Sequence, residues 1–485
     1  MANDQLDAMT LDLSHAVTAP TGAAVAKSEA DSPRMIVLEF NELCPSLLRR
    51  FMDEGRLPHF KALYESSTVY TTDAGEQPPN LEPWIQWFTL HSGEPYDRHH
   101  VYHLGDGRRF EGKLMAQRLS EAGVRVGVFG SMNTNYRQLD GYYIPDPWDV
   151  EAKAWPAWLA PFYDTVARQV QESSRRDAFK AGDMARFGLF VLRHGLRPGT
   201  AWQAVRQLLD ERRNRGLHWR RACLLDHLSY DVFRWLNRRL KVQFATFFAN
   251  STAHLQHYHW RNMEPQRFRI PPEANDDPSL ATAVRYGYES MDRLIGKVLK
   301  DYPSSLIVLA TGLSQQPWDT TKCTYRPRDF QSLLDFAGVT DRGEVKPVMA
   351  EQFHVLFADA AAAQRGAQAL KSLSVRGQPL MNVTVEGEGL FCGCGIMEYG
   401  YLQDNVSNSS GQSRRFDALL YMIHGLRSGR HHPDGVFWVR NHRHEVVQPR
   451  LPLTAVAPAV LRAFGLAASA APHRAESEEA LRQAA

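Results

Sequence analysis

Short apolar runs recur along the chain, each followed by a polar or amphipathic stretch. The first is Arg34-Met35-Ile36-Val37-Leu38-Glu39-Phe40, β-branched and almost continuously apolar, the pattern of a strand buried on both faces. Val126-Gly127-Val128-Phe129, Phe244-Ala245-Thr246-Phe247-Phe248 and Leu306-Ile307-Val308-Leu309 have the same character. A helix is predicted from Pro45 to about Glu54, with Gly55 as its stop signal. Another runs from Tyr286 to Lys300, where Met291, Leu294, Ile295 and Val298 share one face. Strands alternating with helices predict an α/β protein with a mostly parallel central sheet and helices on both faces.

Residues 151–240 interrupt that alternation. Leu224, Leu228, Val232, Trp235 and Leu236 keep a helical period, as do Ala201, Val205, Leu208 and Leu209. This stretch reads as an inserted helical cap. The expected layout is a disordered tail (1–33), a core in two parts (34–150 and 241–466) divided by the cap (151–240), and a C-terminal tail (467–485).

Charge sharpens the picture of the cap. The 485-residue chain carries a net +2, which asks for no nucleic acid. Residues 151–240 hold 17 Lys/Arg against 9 Asp/Glu, a net of +8 that leaves −6 for the remainder. Such a segment could face an anionic substrate, a phospholipid surface or nucleic acid, or be a solvated arginine-rich face. The five cysteines are odd in number and mostly scattered, which argues against a disulfide framework; Cys392-Gly393-Cys394 reads as buried thiols. The N-terminus lacks a basic region followed by an apolar one, and no window offers 18 uncharged apolar residues. A cytoplasmic chain without a transmembrane segment is expected, with peripheral membrane association left open.

The densest candidate chemistry lies just beyond the Phe244–Phe248 run, where His254, His257 and His259 fall within six residues. On a helix, His254 and His257 are three apart and face one side, a spacing that suits Zn²⁺, Mn²⁺ or Fe²⁺. The C-terminal edge of an open α/β sheet is also where ligands bind.

Five phrases in fixed order carry a family resemblance. They are Glu54-Gly55-Arg56-Leu57-Pro58, Pro78-Pro79-Asn80-Leu81-Glu82-Pro83-Trp84, Thr252-Ala253-His254-Leu255-Gln256-His257-Tyr258-His259-Trp260, Ala310-Thr311-Gly312-Leu313-Ser314-Gln315-Gln316 and Gly429-Arg430-His431-His432-Pro433-Asp434-Gly435. Over about residues 35–150 and 241–466 the chain resembles the alkaline phosphatase superfamily, nearest its type I phosphodiesterase/nucleotide pyrophosphatase branch. The resemblance implies an alkaline phosphatase-like fold with a metal site at the strand ends.

Several positions depart from the family pattern. Asn41-Glu42 stand where the family has a metal-binding Asp; they could bind a metal or cap the next helix. The family's Thr nucleophile is missing, since no hydroxyl or thiol lies between Pro78 and Gln86. Glu82 could act there as base or form an acyl-type intermediate, and Asn80 could bind and orient. Ala253 occupies an Asp position, with His254 beside it as a replacement; Thr252, His257 and Trp260 match. The family's Asp-His pair is lost after Leu309, leaving Gln315 and Gln316 to hydrogen-bond substrate. His431 falls on a metal-ligand position.

The resemblance therefore implies a metal-dependent hydrolase or transferase acting on a phosphodiester or phosphomonoester. Its site is reduced to about one divalent metal per chain, zinc first, with manganese or iron as alternatives. Asn41, Glu42, His254, His257 and His431 are the candidate ligands. Glu82 and Asn80 are the candidate catalytic pair, and Thr252, Gln315 and Gln316 would contact substrate. Arginines of the cap could clamp phosphate. The substrate would be a small phosphorylated or sulfated molecule, with the oligomeric state open. The alternative is an altered relative that binds a phosphorylated ligand, a glycolipid or a protein partner without turnover.

Overall fold

The computed structural model describes residues 33–467 except 137, 150, 172–180, 274–275 and 348–350, together with residues 11 and 13. The tails expected at 1–33 and 467–485 lie almost wholly outside the described residues.

A nine-stranded sheet organises the chain. Its strands include β1 (Met35–Phe40), β2 (Ser67–Asp73), β3 (Val126–Phe129), β4 (Gly141–Ile144), β5 (Phe244–Ala249) and β6 (Leu306–Ala310). A short strand β7 (Ser314–Pro317) pairs with β8 (Gly429–His432) beside the sheet, and β9 (Asp434–Arg440) returns into it. The order across the sheet is Glu445–Val446, β2, β9, β6, β1, β5, β3, β4, with Leu451–Pro452 also on β2. From β6 to β4 all neighbours are parallel, and β9 is antiparallel to both β6 and β2. The fold is α/β, with a mostly parallel central sheet.

The unbroken apolar runs follow from burial on both faces. In β1, Ile36, Leu38 and Phe40 enter one core cluster, while Met35 and Val37 enter the other. Ala245, Phe247 and Ala249 of β5 and Ile307 and Leu309 of β6 join the first; Phe244, Phe248, Leu306 and Val308 join the second. Strand alternation thus feeds two layers of helices from one sheet.

Four helices matter for the site. They are α1 (Pro83–Ser92), α2 (Arg221–Leu240), α3 (Ser251–Met263) and α4 (Ala283–Asp301). The helix predicted at 45–54 is Pro45–Asp53; its N-cap is Cys44, without a capping side chain, and Gly55 turns the chain at φ 71°. Asn41 and Glu42 therefore do not cap it. Between β4 and β5, the described residues hold helices and turns with one isolated bridge, at Trp155.

A third apolar cluster, which the sequence reading had not separated, lies between Cys323 and Leu420. It includes a four-stranded antiparallel sheet holding Phe353–Leu356, Met381–Glu386 and Gly389–Cys394. Cys392 and Cys394 are buried there, and all five cysteines are free and buried. Among the described residues no helix is long and apolar enough to cross a membrane.

Candidate functional site

The parallel strands deliver polar residues to one edge. Asn41 and Glu42 follow the last residue of β1, and α3 starts immediately after β5. The β7–β8 ribbon, placed between β6 and β9, sets His431 opposite Gln315. Glu42 itself bridges to Ser314 at the start of β7.

Glu42, His257 and His431 meet at this edge, with one ligand atom from each lying within 4.8 Å of the others. Glu42 Oε2 is 3.2 Å from His257 Nε2 and 3.5 Å from His431 Nε2. The two rings are 5.2 Å apart at their centroids and tilted by 74°. Glu42 takes a left-handed backbone (φ 59°), a conformation that costs a residue with a Cβ about 1–2 kcal/mol. Strain of this kind gathers where a side chain must be aimed.

Backbone carbonyls set the imidazoles. His257 Nδ1 lies 3.2 Å from the Gly429 carbonyl and His431 Nδ1 lies 2.8 Å from the Leu81 carbonyl. A carbonyl can only accept, so each Nδ1 carries a proton, and each Nε2 presents a lone pair whenever its ring is neutral. His431 Nε2 is buried with no hydrogen-bond partner. Ser428 ties the parts together: its N–H donates to the His257 carbonyl (2.7 Å), and its hydroxyl accepts from the Trp260 N–H (2.9 Å). Gly429 is required by close approach, since a Cβ there would lie 2.3 Å from Gln315 Oε1 and 2.8 Å from the Gln256 carbonyl oxygen.

Amides hold Glu42 in place. Asn41 Nδ2 donates to Glu42 Oε1 (2.9 Å), and the Gln315 amide donates to Oε2. The Asn41 amide oxygen is itself taken by the Trp87 indole N–H (2.8 Å). Asn41 therefore orients the carboxylate and has its oxygen turned to α1. Gln256 donates to the Glu42 carbonyl (2.8 Å) and accepts from Tyr288 (2.6 Å).

The electrostatics divide two carboxyl groups. Burial works to raise Glu42, but the two imidazoles and the Gln315 donor outweigh it and hold the group down at about 2. Burial pushes His431 down to about 4 against the pull of Glu42, so this ring is neutral at pH 7 and then lends Glu42 no positive charge. With His431 neutral, the lowering of Glu42 rests on the Gln315 donor and on His257, and a cation would complete it. Glu82, at the N-cap of α1, lies 3.5 Å from His431 Nδ1. Burial, helped by the charge of Glu42, pushes its carboxyl up to about 7, against His257 and Arg427.

The remaining sequence candidates are placed otherwise. His254 stays outside the three-residue group, its ring 5.2 Å from Tyr258. Thr252 is buried and faces Gly287 of α4. Gln316 sits opposite Arg430, and strand alternation turns it away from the face that Gln315 presents to Glu42. Asn80 donates to Glu76 (3.2 Å) in the loop before α1.

Several arginines of the cap, where a phosphate clamp was expected, are taken by carboxylates. Arg197 and Arg234 converge on Asp301 at the far end of α4, and Arg221 pairs with Glu211. The arginine whose charge acts on both Glu82 and His431 is Arg427, which the sequence reading did not single out although it stands two residues before Gly429.

The donor set passes a fit test for a divalent cation: a carboxylate and two Nε2 lone pairs converge, and one of these nitrogens is buried without a partner. No family model and no curated protein matches the chain. Among solved structures, the phosphonoacetate hydrolase of Sinorhizobium meliloti in complex with phosphonoformate aligns over 89% of this chain and 96% of its own, at 13% identity and a TM-score of 0.38. The murine ectonucleotide pyrophosphatase/phosphodiesterase 5, an inactive variant in complex with AMP, aligns over 91% and 97%, at 10% identity and a TM-score of 0.36. Both scores are low, and the fold rests on the strand order and register described above.

Proposed function

We propose that this chain is a divergent member of the alkaline phosphatase superfamily and acts as a metal-dependent phosphoesterase, hydrolysing or transferring a phosphoester. The observation that carries the reading is the convergence of Glu42, His257 and His431, with both Nδ1 atoms committed to carbonyls and the His431 Nε2 left buried and unpaired. These three residues would hold one divalent cation, zinc first, with manganese or iron as alternatives. Bound there, the cation supplies Lewis-acid polarisation of a phosphoryl oxygen.

The chain's own residues do the rest. Asn41 and Gln315 fix the carboxylate of Glu42. Glu82, titrating near neutrality, takes the proton of an attacking water and returns it to the leaving oxygen. The nucleophile comes from outside the chain, water in hydrolysis or an acceptor hydroxyl in transfer, because residues 78–86 offer no hydroxyl or thiol. Arg427, whose charge reaches both Glu82 and His431, offers a cation to the phosphoryl group.

The experiment is a panel of p-nitrophenyl phosphodiesters and monoesters, run on chelated protein with Zn²⁺, Mn²⁺ or Fe²⁺ restored. Turnover is expected with metal and not without it, and His431→Ala should abolish it. The missing hydroxyl favours a second reading, a relative that holds a phosphorylated ligand without turnover. Saturable binding of a phosphoester with no turnover under any metal would select that one.

A further inference from the structure

Eight of the eleven large hydrophobic side chains exposed among the described residues lie between positions 158 and 209. In the helix Pro198–Arg213 the usual arrangement is reversed. Its buried side chains are the polar Thr200 and Gln207, whereas Trp202, Val205, Leu208 and Leu209 are 45–61% exposed. The period read from the sequence is that of a helix, but the apolar side of this helix faces outward. The preceding helix, Ala181–Arg193, buries Phe187, Phe190 and Val191 and exposes Met184, Leu189 and Leu192. Exposed apolar surface of this density marks an interaction face.

Cations are interleaved with the apolar residues. Arg186 and Arg193 are exposed on the first helix, and Arg206, Arg212 and Arg213 on the second. Arg206 also lines a cavity of about 310 Å³ with Arg220 and Arg293, where Asp210 is the acidic wall residue. Arg220 Nε is buried there with no hydrogen-bond partner.

We propose that these two helices dock on an anionic lipid bilayer. Trp202, Leu208, Leu209 and Leu192 would enter the headgroup boundary, and the arginines would meet headgroup phosphates. Charge complementarity selects this occupant. The two helices carry Arg186, Arg193, Arg206, Arg212 and Arg213 against Asp183, Asp210 and Glu211, a net +2, so a second copy of the same face would set like charges together, whereas an anionic leaflet supplies the opposite sign. A stripe mixing Trp and Leu with Arg has the character of an interfacial helix, and Trp prefers the headgroup level. The proposal stands independently of the catalytic reading.

The test is flotation of the full chain with vesicles of phosphatidylcholine alone or mixed with phosphatidylglycerol. Binding is expected to the mixed vesicles, with affinity falling steeply as salt is raised. Trp202→Ser with Leu209→Ser should abolish binding and leave the thermal midpoint unchanged, because both side chains are exposed. Arg206→Gln with Arg213→Gln should weaken binding about fivefold per arginine, the loss set by the field near an anionic surface. This second pair keeps the test decisive if the first fails to fold. No binding to the mixed vesicles, or binding that both double variants retain, overturns the proposal. A dimer seen by light scattering that the Trp202/Leu209 variant loses would assign the face to a second copy and overturn it equally.

Discussion

Replacing Glu42 by Gln keeps the shape of the side chain and removes its charge. Glu42 is 2% exposed and is the one carboxylate of the three-residue group. Four-ligand zinc sites bind with about 10–16 kcal/mol, or about 2.5–4 kcal/mol per ligand if shared evenly. Losing the anionic ligand should therefore raise the metal Kd by about 10²–10³-fold. Folding stability should change less. Both Glu42 oxygens accept amide N–H groups, from Asn41 and from Gln315, so a Gln side chain must point its own NH2 at one of them. An unsatisfied buried donor costs about 1–3 kcal/mol. Relief from burying a charge offsets part of that cost. The assay is chelator competition for affinity, with metal per chain by elemental analysis and the urea midpoint measured on the metal-free forms. A Glu42→Gln protein that keeps wild-type metal affinity would refute the reasoning, and so would one whose loss of affinity merely tracks unfolding.

His257→Ala and His431→Ala should each lower metal affinity strongly, and the double variant should add little once the site no longer holds metal, as titration would show. The acid limb of the kcat/KM profile should lie at or below about 7, because Glu82 must be ionised to accept a proton and a nearby cation only lowers its value. Glu82→Gln should lose activity and that limb together, and a limb unchanged in the variant would remove Glu82 from the role. Gly429→Ala should cost about 1–3 kcal/mol in a denaturant titration and weaken metal binding, because its Cβ meets Gln315 Oε1 and the Gln256 carbonyl. Arg427→Ala should raise KM for a phosphoester with little effect on metal content, whereas a changed metal content with KM unmoved would place it elsewhere.

The fold was legible where burial on both faces leaves a continuous apolar run. β1, β3, β5 and β6 were each readable from fewer than ten residues for that reason. The antiparallel unit between Cys323 and Leu420 was not, because its strands are short and half exposed; Met381–Glu386 buries only its first residue. At the site, residue types and motif order pointed to Glu42, His257, His431 and Glu82, which the chain brings together. Spacing alone could not separate His254 from His257, because residues three apart on a helix share a side; the Gly429 carbonyl, contributed from far along the sequence, distinguishes them. Gln315 and Gln316 could not be told apart until the register with β8 fixed which one faces Glu42. The period at Ala201–Leu209 announced a helix without saying which side it buries, and here the buried side is the polar one.

Whether Glu42, His257 and His431 hold one metal ion is tested most directly by an anomalous-difference map from crystals of the full chain grown without chelator and soaked in Zn²⁺. One strong peak per chain is expected, in contact with Glu42 Oε2, His257 Nε2 and His431 Nε2. Two peaks of equal height at this edge, or a peak that leaves His431 Nε2 without a partner, would contradict the one-metal site.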